Sequence, residues 1–263
     1  MRFLHTKMFE RLAPWMVTIF LIFLWEGLVK AFDVPRIVMP SASETFYAMY
    51  EYRVGLWRNS EPTLIATLVG FGIAVVFGVT VGILIGLWRP LYAALYPLMV
   101  AFNSIPKVAV VPIMVIWFGI GFTTNTLTAF ILCFFPIVVN MAVALATIEP
   151  ELKDVMRALG ANQMDIILKI GIPRSLPYLF AALKIAITLA FVGAVIAETV
   201  AGGSGIGNLM LVASADFNTP LAFAGLIVIA VMAISMYAIF AAMEARFTGW
   251  ATRDSVSFAT AGG

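Results

Sequence analysis

Histidine and cysteine are almost absent from this chain of 263 residues, which holds one of each. His5 lies near the amino terminus, and Cys133 lies within an apolar run. One cysteine cannot form a disulfide within the chain, and the two residues provide neither a histidine-based catalytic centre nor a set of metal ligands. We therefore expect no metal and no cofactor to be bound by this chain itself.

Charged residues are also scarce. They make up 11% of the chain, against about 25% in a typical soluble domain, while 62% of the residues are hydrophobic. The net charge is only +2, which indicates no nucleic-acid partner. The composition predicts a single transmembrane domain over residues 1–263, embedded in a lipid bilayer and without room for a sizeable soluble domain.

Nucleotide-binding motifs are missing as well. No segment matches the phosphate loop, which is Gly, four residues, then Gly-Lys-Ser/Thr. The glycine-rich segment 201–208 has Asn208 where a dinucleotide fingerprint has its last glycine. If the protein uses ATP and magnesium, we expect another polypeptide to bind them.

Long apolar runs are what the chain does contain, and a run of about 20 residues suffices for a membrane-spanning helix. We place about six spans, at residues 12–32, 62–88, 91–119, 126–148, 175–200 and 219–243. These runs predict an all-α polytopic membrane protein. We interpret the first as a retained span rather than a signal peptide, because it shows no convincing small-residue cleavage site. In the polar segment 33–61, Ser41 or Ser43 is expected to cap a short helix on the membrane surface.

Two of the predicted spans have special composition. The second has a small residue at every fourth position, which favours close approach of another helix of the same subunit. These residues are Gly70, Ala74, Gly78, Gly82 and Gly86. The third contains Pro97, Pro106 and Pro112, each of which removes a backbone donor. Backbone groups freed at membrane depth need protein or water as partners, so we expect this span to lie beside a cavity.

Three charged residues within the predicted spans are candidates for the transport pathway: Lys107, Lys184 and Glu198. Charge inside a membrane is costly, and two cations suit an anionic solute. Other interpretations remain open. Carbonyls freed near Pro106 would hold Lys107, and Lys184 would snorkel or pair with Glu198 or Glu26. Within one helix Lys184 and Glu198 are about 21 Å apart, so they cannot pair there.

Basic residues predict the orientation of the chain in the membrane. Six spans with an inside amino terminus put ten on the cytoplasmic side: Arg2, Lys7, Arg11, Arg89, Lys153, Arg157, Lys169, Arg174, Arg246 and Arg253. Four lie on the outer side: Lys30, Arg36, Arg53 and Arg58. Both termini and the polar segment 149–174 are therefore expected in the cytoplasm.

The segment 149–174 reads as two amphipathic helical pieces. Leu152, Val155, Met156 and Leu159 repeat at helical spacing in the first piece, and Gly160 is suited to end it in the left-handed conformation. The second piece begins near Asn162 and carries Met164, Ile167, Leu168 and Ile170 on one side. Pro173 and Pro177 are expected to mark its end.

This segment resembles the "EAA" loop of the binding-protein-dependent permeases of ATP-binding-cassette (ABC) importers. That motif is Glu-Ala-Ala, three residues, Gly, nine residues, Ile, one residue and Leu-Pro. Here Gly160 is followed after nine residues by Ile170, and Pro173 closes the motif, with Ile172 in place of Leu. Asp154 stands at the acidic start, and Val155 and Met156 replace the alanines. The residues IPKVAVVP and WFGIG are similar to the nitrate, sulfonate and taurine branch of these permeases.

The resemblance implies a type I ABC importer permease fold with cytoplasmic coupling helices in a bacterial plasma membrane. It also implies a dimer of ATPase subunits that holds ATP and magnesium, a periplasmic or extracellular binding protein, and a second permease copy. Residues carried over for ATPase coupling are Asp154, Met156, Arg157, Leu159, Gly160, Ala161, Ile170 and Pro173. Of these, Met156, Leu159 and Ala161 are expected to be apolar anchors, with Asp154 and Arg157 at the rim.

Two other functions were weighed against the importer permease. An ion-coupled secondary transporter would use Lys107 or Glu198 for coupling, but that class often shows inverted repeats with paired broken helices, and one broken span without a repeat is visible. A membrane enzyme would need a cluster of His, Asp or Glu near the membrane surface, which the sequence lacks. The residues thus favour a permease that passes a small anionic solute and does no catalysis itself.

Overall fold

The structure is a computed structural model that describes residues 7–249, without the side chains of residues 7–11 and 89. Every regular element in this range is helical, which confirms the all-α fold class. The helices are α1 (Lys7–Ala31), α2 (Ala42–Glu51), α3 (Arg53–Leu87), α4 (Arg89–Ser104), α5 (Val111–Phe118), α6 (Phe122–Ala146), α7 (Pro150–Ala158), α8 (Gln163–Ile166), α9 (Ile172–Ala201), α10 (Ile206–Ala215) and α11 (Thr219–Phe247). A 3₁₀ turn (Lys107–Val110) precedes α5, and a π turn (Ile167–Gly171) joins α8 to α9.

Five helical segments are long and apolar enough to cross a membrane within the described range, and a sixth is counted if one bent pair forms a single span. The bent pair is the irregular third span, where α4 and the helix from Lys107 to Phe118 meet at 77°. Pro106 lies at the bend and Pro112 lies in the first turn of α5. Because neither proline donates a backbone hydrogen bond, a straight helix from residue 91 to 119 cannot form.

α6 is the central helix of the described chain, and it packs against α3 on one side and α9 on the other. The shared core consists largely of small and medium side chains, such as Ala129 and Ile137 of α6 and Ala190 of α9. Cys133 is buried in this core. Small side chains let the three helix axes approach closely, which is how packing is gained where lipid supplies no hydrophobic driving force.

Four glycines of α3 lie on its contact with α6. A Cβ added at Gly70 would stand 2.5 Å from the Thr126 carbonyl oxygen, and one at Gly82 would stand 2.6 Å from the Met141 Cβ. Gly78 and Gly86 meet α6 in the same way. The small-residue face predicted from the sequence is therefore filled by α6 of the same chain.

The short helix α2 begins at Ser41, as predicted. The Ser41 hydroxyl accepts a hydrogen bond from the Glu44 amide at 3.3 Å, and the Glu44 carboxylate accepts one from the Ser41 amide at 3.0 Å. This reciprocal pair is a capping box. The Ser43 hydroxyl donates to Glu26 of α1 at 2.9 Å, which fastens α2 to the first span.

Candidate functional site

Gly160 ends α7 through its backbone geometry. Its φ is +82°, and its amide donates to the Arg157 carbonyl at 2.9 Å. The Ala161 amide donates to the Met156 carbonyl at 3.0 Å, which completes a Schellman motif. A Cβ at Gly160 would meet nothing within 4 Å, so glycine is favoured here by conformation and not by space. Met156 and Ala161 are half-buried at the two positions that commonly make the apolar contact of this motif.

The second helical piece does not end where the sequence predicted. Asn162 and Asp165 form a capping box that starts α8, with an Asp165 amide to Asn162 Oδ1 distance of 2.8 Å. The chain then passes through the π turn directly into α9, so Pro173 lies in the first turn of α9 and Pro177 lies inside it. A proline ring clashes with the carbonyl four residues earlier in a regular α-helix, and the wider π turn before Pro173 relieves that clash. The predicted exit at these prolines was therefore wrong.

Four large apolar side chains are exposed on both sides of Gly160. The exposed fractions are 57% for Val155, 78% for Leu159, 59% for Met164 and 56% for Leu168. We call these four residues the loop surface. Leu159 was predicted as an anchor, whereas the predicted anchors Met156 and Ala161 are only half-exposed. Exposed apolar groups that cluster in a polar segment are typical of a protein interaction site.

Ile170 lies behind the loop surface and faces the protein. It packs with Met141 and Leu145 near the end of α6 and with Ile148 just after that helix. Its neighbour Gly171 is buried, and a Cβ there would stand 3.1 Å from the Leu145 side chain. Among the residues carried over for ATPase coupling, Ile170 therefore supports the loop from the interior.

Ion pairs surround the loop surface. Asp154 and Arg157 are bridged at 3.2 Å, and both are largely exposed. The Arg174 guanidinium donates to both carboxylate oxygens of Glu149, at 3.0 and 3.1 Å, and this interaction lowers the pKa of Glu149. Exposed pairs stabilise by about 1 kcal/mol or less. The Glu149–Arg174 pair nevertheless joins the start of α7 to the start of α9, so it closes the loop at its base.

Lys184 is neutralised by a residue that the sequence did not indicate. Its Nζ donates to the Glu244 carboxylate of α11, and both side chains are largely buried. Glu26 instead binds Lys30 and Ser43, so of the alternatives left open by the sequence, pairing of Lys184 with Glu26 is not observed. Glu244 is 60 positions away along the chain, and sequence spacing alone does not predict a contact between two helices.

Glu198 is fully buried in the last turn of α9. Its Oε2 accepts hydrogen bonds from the Gly207 amide at 2.9 Å and from the Thr63 hydroxyl at 3.0 Å. The Thr63 oxygen in turn accepts from the Ile206 amide at 2.9 Å. A Cβ at Gly205 would stand 2.1 Å from the Glu198 carboxyl carbon, so the glycine-rich link is packed directly on this group. Glu198 thereby holds the first turn of α10, whose leading amides have no partner within the helix.

Lys107 lies at the break between α4 and α5 and lines a cavity of about 460 Å³. Its Nζ donates to Asn103 Oδ1 at 2.7 Å and lies 5.6 Å from the centre of the Phe135 ring. The side-chain amide of Asn103 is thus the hydrogen-bond partner of Lys107, in place of the freed backbone carbonyls that were expected. Within the described residues, no three His, Cys, Asp or Glu side chains are grouped as metal ligands would be.

Comparison with known proteins gave a match over most of the chain. Residues 74–249 match the family described as the binding-protein-dependent transport system inner membrane component. The riboflavin transport system permease protein RibX of Chloroflexus aurantiacus is 32% identical over 232 residues, which are 88% of this chain and 87% of that protein. The taurine transport system permease protein TauC of Escherichia coli is 28% identical over 74% of this chain and 71% of its own.

A solved structure has a similar fold. A chain of the inward-facing MetNI methionine ABC transporter superposes with a TM-score of 0.64 at 23% identity. The match covers 73% of this chain and 95% of that one. Residues 107, 154–173, 184 and 198 all lie within the part matched by the family.

Proposed function

This chain belongs to the binding-protein-dependent transport system inner membrane component family and is an ABC transporter permease subunit, and from that premise we propose that a separate ATPase docks on its loop surface. Membership confirms the family and branch resemblance expected from the sequence. The alternative of an ion-coupled secondary transporter is not favoured. ATP and magnesium would be bound by the ATPase, because this sequence has no phosphate loop of its own.

The loop surface is the observation that supports this proposal. Val155 and Leu159 lie one turn apart on and just after α7, and Met164 and Leu168 are likewise one turn apart after Gly160. Their more than half-exposed side chains are apolar groups of the kind that a groove on another protein would cover. Asp154 and Arg157 are exposed charged residues of α7 and would form the polar rim of the contact.

A continuous helical segment connects the loop surface to the helices that span the membrane. α8, the π turn and α9 form one continuous helical segment from Gln163 to Ala201. Force applied at Met164 or Leu168 would therefore act on α9, which packs on α6. Closure of two ATPase subunits on ATP would move the loops of two permease copies and rock the spans between inward-open and outward-open states.

The remaining partners follow from the same arrangement. One chain supplies one docking loop, so two ATPase subunits call for a second permease copy, and we propose a homodimer. A binding protein would deliver a small anionic solute from outside a bacterial plasma membrane. Both chain termini would be cytoplasmic, although residues 1–6 and 250–263 lie outside the described residues. The distribution of basic residues along the sequence supports this orientation.

Substitution of Leu159 by aspartate tests the docking proposal. A carboxylate in the centre of an apolar contact leaves a charge without a partner, so Leu159→Asp should abolish co-purification with the ATPase. Phe217→Asp is the matched control, because Phe217 is also 70% exposed but lies after α10 on the predicted outer side. Equal ATPase recovery with wild type and Leu159→Asp would contradict the proposal.

A further inference from the structure

We propose that the cavity beside Lys107 is a binding site for the transported solute, and that it takes an organic anion with one carboxylate, sulfonate or phosphate group on a flat apolar body. This inference rests on the proposed function, since a solute site inside the membrane has a use only in a permease.

The cavity lies between α3, α4 and α6. Its volume of about 460 Å³ falls in the range of about 300–1,000 Å³ that is usual for small-molecule sites. Four phenylalanines line it: Phe102, Phe130, Phe134 and Phe135. Lys107 is the one charged side chain among its lining residues, and the others are apolar. An apolar pocket with one polar anchor is the usual design of a site that orients a small molecule.

Lys107 lies at mid-depth in the membrane. Its ammonium contacts the ring of Phe135, which follows the first residue of α6 by 13 positions and precedes its last by 11. These separations are about 20 Å and about 17 Å along the helix. A lipid headgroup lies at the interface, about 15 Å from the middle of a bilayer core that is about 30 Å thick. The phosphate of a lipid therefore does not reach Lys107, whereas a solute in a transport pathway does.

The charge of Lys107 is not balanced by a carboxylate. Among the described side chains no Asp or Glu oxygen lies within 4.0 Å of its Nζ, and the hydrogen-bond partner is the neutral amide of Asn103. Lys184, the other cation in this part of the protein, is paired with Glu244. An ammonium has three donors, so the bond to Asn103 orients Lys107 and leaves donors for a ligand. Unbalanced charge in a membrane span commonly marks a substrate pathway.

The apolar lining of the cavity favours one class of anion over another. A small inorganic oxyanion would contact Lys107 but would lose its hydration against phenylalanine rings that cannot replace those hydrogen bonds. A flat apolar body gains from burial and from stacking on the rings. The cavity therefore favours an anion attached to an apolar or aromatic framework over nitrate or sulfate.

Binding of a matched pair of probes tests this inference. The permease assembled with its ATPase, in zwitterionic lipid nanodiscs and without the binding protein, would be titrated with 1-naphthalenesulfonate and with its neutral sulfonamide. We expect saturable binding of the sulfonate, weakened about tenfold or more in Lys107→Gln. Lys107→Arg should retain binding, and the weaker binding of the sulfonamide should not change in Lys107→Gln.

Asn103→Asp is a second variant of nearly unchanged shape. A carboxylate at this position would pair with Lys107 one turn away, so sulfonate binding should fall as in Lys107→Gln. Lys30→Gln removes an exposed charge elsewhere and should leave sulfonate binding unchanged. Equal sulfonate affinity in wild type, Lys107→Gln and Asn103→Asp would overturn the inference.

Two further results separate the competing occupants and the underlying function. Displacement of the sulfonate by nitrate at equal concentration would overturn the proposal that the solute is an organic anion. A phospholipid that native mass spectrometry shows to be held by Lys107 would overturn the proposal that the cavity is a solute site. Recovery of the ATPase with Lys107→Gln should equal that of wild type. If wild type itself recovers no ATPase, the docking proposal fails independently of the cavity.

Discussion

At the scale of single residues, Glu198 shows how a buried carboxyl group can be structural. Glu198 bonds the Thr63 hydroxyl of α3 and the Gly207 amide of α10, so one carboxylate joins three helices. Its second oxygen, Oε1, is buried without a hydrogen-bond partner among the described residues. This group explains two glycines of the link to α10, because a Cβ at Gly205 or Gly207 would stand within 3.0 Å of the Glu198 side chain.

Removal of the Glu198 carboxylate should destabilise the protein. Glu198→Ala leaves a cavity and strips the Gly207 amide and the Thr63 hydroxyl of their acceptor, so we expect a loss of about 2–4 kcal/mol. Glu198→Gln keeps an oxygen acceptor of the same length and should lose less. Thermal unfolding in detergent, followed by tryptophan fluorescence, measures both. A Gln variant as unstable as the Ala variant would show that the charge itself is needed.

At the scale of single elements, the loop around Gly160 shows which structural features the sequence predicts and which it does not. The sequence predicts the glycine that ends the first helical piece, the amphipathic pattern before it and the start of the second piece near Asn162. These features are predictable because caps and helix ends have local signals. The sequence did not predict that the helix continues through Pro173 and Pro177, because the π turn that permits this has no characteristic residue pattern. The inward position of Ile170 depends on Leu145 of α6 and on Ile148, which follows that helix.

Substitution of Gly160 tests the role of the turn. Valine at a φ of +82° is strained by about 1–2 kcal/mol and would shift α7 relative to α8. We expect Gly160→Val to transport less solute per ATP hydrolysed in proteoliposomes that contain the whole transporter. Gly160→Asn is the control, because asparagine tolerates the left-handed conformation and a side chain there meets open space. Unchanged coupling in Gly160→Val would contradict a rigid link at this turn.

At the scale of the whole molecule, α3, α6 and α9 pack closely around one shared core. The sequence predicted the spans and the small-residue face of α3, because hydropathy and a four-residue period are properties of one segment. It did not predict the Lys184–Glu244 pair, the Thr63–Glu198 bond or the cavity at Lys107. Each of these depends on which helices become neighbours, and that choice is made by packing over the entire chain.

Two glycines of α3 give a matched test of this packing. A Cβ at Gly82 would stand 2.6 Å from the Met141 Cβ and 2.9 Å from the Val138 carbonyl oxygen, so Gly82→Ala forces α3 away from α6. We expect a loss of about 1–3 kcal/mol in thermal unfolding experiments. Gly72→Ala lies on the same helix with nothing within 4 Å and should be neutral or slightly stabilising. Equal effects of the two variants would contradict this packing.

We propose that the loop surface lies in the cytoplasm and is covered by a separate ATPase. The native cysteine, Cys133, is buried, so Leu159→Cys introduces a single exposed thiol. A membrane-impermeant maleimide applied to sealed vesicles of known orientation measures its accessibility. We predict labelling only from the cytoplasmic side, and protection when the ATPase is bound. Labelling from the outer side, or labelling from the cytoplasm that the ATPase does not change, would contradict the account.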